Sequence, residues 1–180
     1  MMGLKEVVGH SESKAKMHND EILKYLEGIV LLEELKADSK GLRAFSEFLT
    51  VTDFPVGSEI IREGDVGGGM YFLMSGRVLV MKKTIQGDFY PVAKLAGGTG
   101  IFFGEGALFG QEARSASVIA DEACRCLVLD GGDFERFCRL YPQWSVGVIL
   151  RLAKVVATRL RALNQDYVML YQALVSEIRG

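Results

Sequence analysis

Apolar residues recur along this chain with more than one period, and the changes of period divide it into four stretches. Residues 1–20 are polar and predict a flexible tail. From Glu21 to Lys36 the apolar positions Ile22, Tyr25, Leu26, Ile29, Leu32 and Leu35 recur at three and four, the spacing of one helical face. A second short helix is expected from Ser39, read as its N-cap, through Leu49, so residues 21–50 form amino-terminal helices. From Val51 to Asp130 the period shortens. Brief apolar runs alternate with turn signals such as "FPVGSE", "REGDVGGG", "IQGD" and "LAGGTG", which predicts short strands in a sandwich or jelly-roll barrel. Within "MYFLMSGRVLVMKK", Ser75-Gly76 predicts a hairpin.

Helical spacing returns after Gly131-Gly132. "DFERFCRLYP" reads as a short helix with Asp133 near its start and Pro142 closing it. Between Gln143 and Ile178 there is no proline and a single glycine, Gly147, so one helix of roughly 50 Å is expected. Ile149, Ala153, Val156, Leu160, Leu163, Tyr167, Leu170 and Leu174 follow an unbroken alternation of four and three. That is a heptad seam, and it predicts a homodimer through the long carboxy-terminal helix Gln143–Ile178, so residues 131–180 hold a short helix followed by a long dimerisation and lid helix.

Composition narrows the picture. A chain of 180 residues, 49% hydrophobic, holds one good-sized domain with its own core. Residues 131–180 carry seven Arg/Lys against four Asp/Glu and residues 1–130 fourteen against nineteen, so the net charge of −2 is no footprint of nucleic-acid binding. No secretory h-region and no run of about 20 apolar residues is present, which predicts a cytoplasmic protein without membrane insertion. Cys124 and Cys126, on a predicted strand, read as buried thiols of a reducing compartment. The only histidines, His10 and His18, precede the strands, which argues against a metal site of the cupin kind, and no P-loop occurs. No enzyme activity and no metal are expected.

One stretch carries chemistry: "FGEGALFGQEARSAS", Phe103 to Ser117. Gly104 and Gly106 permit unusual backbone angles, and residues 106–109 suit a single helical turn whose free amides face an anion. Arg114 supplies a fixed fork of donors matched to phosphate. Ser115 and Ser117 add hydroxyls, while Ala107 and Ala116 leave room for close approach. Glu105 repels phosphate, so beside an anion it makes sense if the ligand also brings a donor such as a ribose hydroxyl. The competing reading is a buried Glu105–Arg114 ion pair that ties a hairpin together.

This stretch resembles the phosphate-binding cassette of the cyclic nucleotide-binding domain family, F-G-E-x-A-L followed by R-[ST]-A, with Arg114-Ser115-Ala116 similar to the bacterial activator form. Upstream, "FPVGSEIIREGDVGGGMYFLMSGRV", Phe54 to Val78, resembles the family's F-x-x-G-x-x-I-x-x-E-G-D and Y-x-x-x-x-G-x-V. The resemblance covers residues 51–163. It implies a mainly β fold with flanking helices: a jelly-roll barrel (double-stranded β-helix) over residues 51–130, with amino-terminal helices and a long carboxy-terminal lid helix. It further implies that Arg114 binds the exocyclic phosphate and Glu105 the ribose 2′-hydroxyl, with Gly104, Gly106, Ala107, Ser115 and Ala116 completing the cradle. The helix positions facing the base are Leu163 and Asn164, where the bacterial activators offer hydroxyls, and Asn164 is the candidate for the purine edge. The turn between Leu95 and Phe103 is two residues longer than the common pattern. The function implied is a regulatory sensor of cAMP, with cGMP as the alternative, that signals to an unknown protein partner through its long helix. Two rival readings remain: a dimerisation scaffold with a degenerate pocket, and the sensor part of a transcription regulator without its DNA-binding domain. The chain stops at Gly180 without a recognition helix, so direct promoter binding is not expected.

Overall fold

A computed structural model describes residues 19–179 apart from 85, 99 and 111. Most of the predicted tail lies outside the described residues. α1 (Asn19–Glu27) opens the described chain. The single helix expected to Lys36 is broken: Gly28 and Ile29 donate to the carbonyls of Tyr25 and Leu26, which closes α1. A 3₁₀ turn (Val30–Leu32) and α2 (Glu33–Lys36) follow. Gly28 is a poor helix former, and the bend lets Leu26, Ile29, Leu32 and Leu35 all reach full burial. α3 (Ser39–Ser46) is capped by Asp38, whose carboxylate accepts from the Lys40 N–H at 2.9 Å. The cap is therefore Asp38 and not Ser39, and the helix ends before Leu49, which starts a strand.

The β region comprises β1 (Leu49–Phe54), β2 (Glu59–Ile61), β3 (Gly69–Ser75), β4 (Arg77–Lys83), β5 (Phe89–Ala96), β6 (Phe102–Phe103), β7 (Ser117–Ala120) and β8 (Cys124–Asp130). They form two four-stranded sheets, β1-β8-β3-β6 and β2-β7-β4-β5, with every pairing antiparallel. This is the jelly-roll arrangement, open as two sheets instead of closed as one barrel. Ser75-Gly76 is not a hairpin, because β3 and β4 belong to different sheets. Gly76, at φ +85°, takes the chain across, and a Cβ there would overlap the Ala123 carbonyl. The hairpin is β4–β5, with a register shift between Val80 and Met81.

Alternation along β8 shows how the layers form. Leu127 and Leu129 point to a core shared with Phe72 of β3 and with Phe45, Phe137 and Leu152 of the helical side. Cys124 and Cys126 face the other way, into the sandwich with Ile61, Leu73, Val78 and Val118. Both thiols are buried and free, and burial pushes Cys126 up to about 12. α1 is tied to this sandwich by Tyr25, whose hydroxyl donates toward the carbonyls of Leu73 and Gly98 at 3.2 and 3.1 Å. The long turn after β5 is thus anchored at Gly98.

α4 (Gly131–Leu140) is capped by Asp130, which accepts from Gly132 N–H at 2.8 Å. α5 (Pro142–Arg179) runs unbroken for 38 residues. Its amino-terminal half buries Ser145, Val148 and Leu152. At Gly147 the absent side chain admits Glu34 of α2, which pairs with Arg151 at 3.1 Å. The predicted seam divides: Ala153, Val156 and Leu160 face the sandwich across open space, with Leu160 still 56% exposed, while Leu163, Tyr167, Leu170 and Leu174 are exposed and line no part of that space. Among the described residues no helix is long and apolar enough to cross a membrane.

Candidate functional site

The quoted stretch leaves β6 at Gly104, whose φ of +75° and missing side chain are both required. A Cβ there would lie 3.0 Å from the Gly69 carbonyl oxygen and 2.9 Å from Arg114 Nη1. The next four residues, Glu105–Leu108, form one 3₁₀ turn, with Ala107 and Phe109 donating back to Gly104 and Gly106. The N–H groups of Glu105 and Gly106 then have no backbone acceptor among the described residues. The turn was expected one residue later, over residues 106–109.

Arg114 is held at both ends. Its N–H donates to Asp65 and its carbonyl accepts from Gly64, at 2.8 and 2.9 Å. Its guanidinium donates Nη1 to the Gly104 carbonyl at 2.9 Å and Nη2 to the Gly69 carbonyl at 2.8 Å. Among the described residues no carboxylate pairs with it, so the positive charge is uncompensated. The Glu105–Arg114 pair of the competing reading does not form. Glu105 instead pairs with Arg159 of α5. Arg159 also donates Nη2 to the Phe102 carbonyl at 3.1 Å and lies 4.9 Å from the centroid of the Phe102 ring.

A cavity of about 880 Å³ opens between the sheets and α5. Ile61, Val80, Leu95 and Phe102 wall one side, and Ala153, Val156, Ala157 and Leu160 the other. At its polar end the structure brings together Gly104, Glu105, Gly106, Ala107, Arg114, Ser115 and Ala116. Asn164 is not among its lining residues, and Leu163 is 64% exposed, so both predicted base-facing positions lie beyond the rim as α5 sits here.

Sequence reasoning missed Arg159, Glu112 and the Gly68–Gly69 pair. Arg159 carries no periodic signal, since its partner is 54 positions away. The three glycines at 67–69 were a legible signal: a Cβ on Gly68 would come within 2.7 Å of Arg114 Nη2, and one on Gly69 would overlap the Leu129 carbonyl. Beneath the cassette, Glu63 pairs with Lys82 at 3.0 Å and accepts from the Lys83 N–H, which holds its carboxyl below the usual range. Chemically, this arrangement can take an anion on Arg114 and the open amides, a hydroxyl on Glu105, and a flat apolar group between sheet and helix.

The family model for the cyclic nucleotide-binding domain matches residues 51–141. The chain is 31% identical to the mouse (Mus musculus) cGMP-dependent protein kinase 2 over 153 residues, 84% of this chain and 19% of the kinase. It is 35% identical to the cAMP-dependent protein kinase regulatory subunit of Aspergillus fumigatus over 112 residues, 62% of this chain and 25% of that protein. Among solved structures it resembles the Thermus thermophilus catabolite activator protein, at 29% identity and TM-score 0.64, over 81% of this chain and 62% of that one. The chain thus spans about a fifth of the kinase's length and a quarter of the fungal subunit's.

Proposed function

The chain belongs to the cyclic nucleotide-binding domain family, and from that premise we propose that the cavity under α5 takes a cyclic purine nucleotide and reports its presence through the helix. The observation that carries this reading is Arg114: a guanidinium with no carboxylate partner among the described residues, pinned by two carbonyls beside open amides at the polar end of an apolar slot. The phosphate meets Arg114 and the 104–107 turn, with Ser115 and Ala116 closing the other side. The ribose hydroxyl goes to Glu105. The base lies between the sheets and the Val156–Leu160 face, and Asn164 reaches its edge only when α5 swings inward.

The preferred ligand is cAMP, a choice resting on the likeness of Arg114-Ser115-Ala116 to the bacterial activators. Because the similar kinase chains include a cGMP-dependent and a cAMP-dependent one, cGMP is the competitor to measure. The output is mechanical. Glu105 is joined to Arg159, so a ribose hydroxyl claiming the same carboxylate is felt by α5 and by whatever protein partner reads that helix. The role is regulatory, not catalytic, and its expected place is the cytoplasm.

Isothermal titration of nucleotide-free protein with cAMP and then cGMP tests this. Binding of one at micromolar or tighter, about −8 kcal/mol or better, is expected. Silence with both overturns the reading.

A further inference from the structure

We propose that Lys82 is a positioning residue for the anion end of the cavity, acting through the peptide between Ser115 and Ala116. The proposal rests on the nucleotide reading above and names a residue that reading does not use. β4 pairs with β7 as Val80 with Val118 and Met81 with Ser117, so Lys82 stands where the ladder runs out, opposite Ala116. From there its ammonium donates to the Ser115 carbonyl and pairs with Glu63 at 3.0 Å. Glu63 is itself fixed, since its other carboxylate oxygen accepts from the Lys83 N–H at 3.0 Å and its own N–H donates to Ser117 Oγ at 2.9 Å.

The segment 114–117 is therefore fastened at Arg114 by the main chain of Gly64 and Asp65 and at Ser117 by Glu63. Between these points the Ser115–Ala116 peptide has no main-chain partner among the described residues, and its orientation falls to Lys82. A trans peptide is planar, with its carbonyl and N–H on opposite edges. Turning the Ser115 carbonyl onto Lys82 therefore turns the Ala116 N–H the other way. That N–H has no acceptor among the described residues, and Ala116 lines the cavity. If the peptide flipped, an anion would meet a carbonyl oxygen in place of a donor. A charge-assisted bond from an ammonium is well suited to prevent this. The Lys82 side chain is 38% exposed, so the effect is one of geometry and not of its long-range charge.

The test compares wild type, Lys82→Met and Lys82→Arg by titration with cAMP and by the amide proton resonance of Ala116. Lys82→Met is expected to weaken binding about tenfold and to abolish the ligand-induced shift of Ala116, while Lys82→Arg, still a donor to the carbonyl, retains both. Wild-type affinity and an unchanged Ala116 shift in Lys82→Met overturn the proposal alone, even if the variant melts at lower temperature. A wild type silent toward cAMP and cGMP overturns the reading of the cavity and this inference with it. Should Lys82→Met not fold, Glu63→Gln removes the ionic partner but keeps an acceptor for the Lys83 N–H. It is expected to weaken binding roughly threefold, and unchanged affinity there also overturns the proposal.

Discussion

Arg114 serves the free protein as well as the ligand, and the two tasks use the same guanidinium. Its Nη1 donates to the carbonyl of Gly104, which also accepts from the Ala107 N–H, and its Nη2 to the carbonyl of Gly69. Leucine takes the guanidinium donor from the buried Gly69 carbonyl and leaves the Gly104 carbonyl with the Ala107 N–H alone, so Arg114→Leu should both abolish detectable cAMP binding and lower stability by about 1–3 kcal/mol. Arg114→Lys keeps the charge but lacks the fork, so it should recover part of the binding and little of the stability. Titration beside urea unfolding separates these effects. Unchanged urea stability in Arg114→Leu would show that the two carbonyl contacts contribute nothing. The arginine, the glutamate and the glycines were legible because their types are unusual together. The partner of Glu105 was not, because an ion pair between a loop and a distant helix leaves no mark in local spacing.

Elements were legible where one period persists and illegible where tertiary packing interrupts it. α5 was legible from end to end, since 36 residues without proline leave few alternatives to a helix. The break at Gly28 was not, because Ile29, Leu32 and Leu35 keep helical spacing across it while burial decides the bend. Ser75-Gly76 misled for a related reason. Two strands flanking a turn look alike whether they pair or part, and the close approach of Ala123 to Gly76 lies 47 residues on. Gly147 shows the same competition inside a helix. Alanine there would gain about 1 kcal/mol of helix propensity. Its Cβ, however, would overlap Glu34 Cγ and lie 2.7 Å from Glu34 Cβ, displacing α2 and breaking the Glu34–Arg151 pair. Gly147→Ala is therefore expected to lower the melting temperature and to speed hydrogen exchange in α2 and the first half of α5. A raised melting temperature would show that Glu34 is free to move and that the helices are not interlocked.

For the molecule as a whole, the open question is what covers the second half of α5. Leu163, Tyr167, Leu170 and Leu174 are 56–71% exposed. Four large apolar side chains on one stripe of a projecting helix are uncommon on a monomer, and their alternation of four and three fits knobs meeting holes on an identical helix. The expected assembly is a homodimer in which two copies of α5 pair from Leu163 onward. Leu160 belongs to the same register but lines the cavity, so a charge there would disturb ligand and interface together. Leu163→Glu with Leu170→Glu is the cleaner pair, because each places a carboxylate in the seam beyond the cavity's described lining. Sedimentation velocity should give a dimer for the wild type and a monomer for the double variant. The described cavity is built from one chain, so the monomer should still bind cAMP, with affinity changed only as far as pairing holds α5 in place. A wild type that sediments as a monomer at tens of micromolar would remove the seam. A monomeric variant that no longer binds would place part of the site across the interface, with the α5 of one copy completing the base-facing wall of the other.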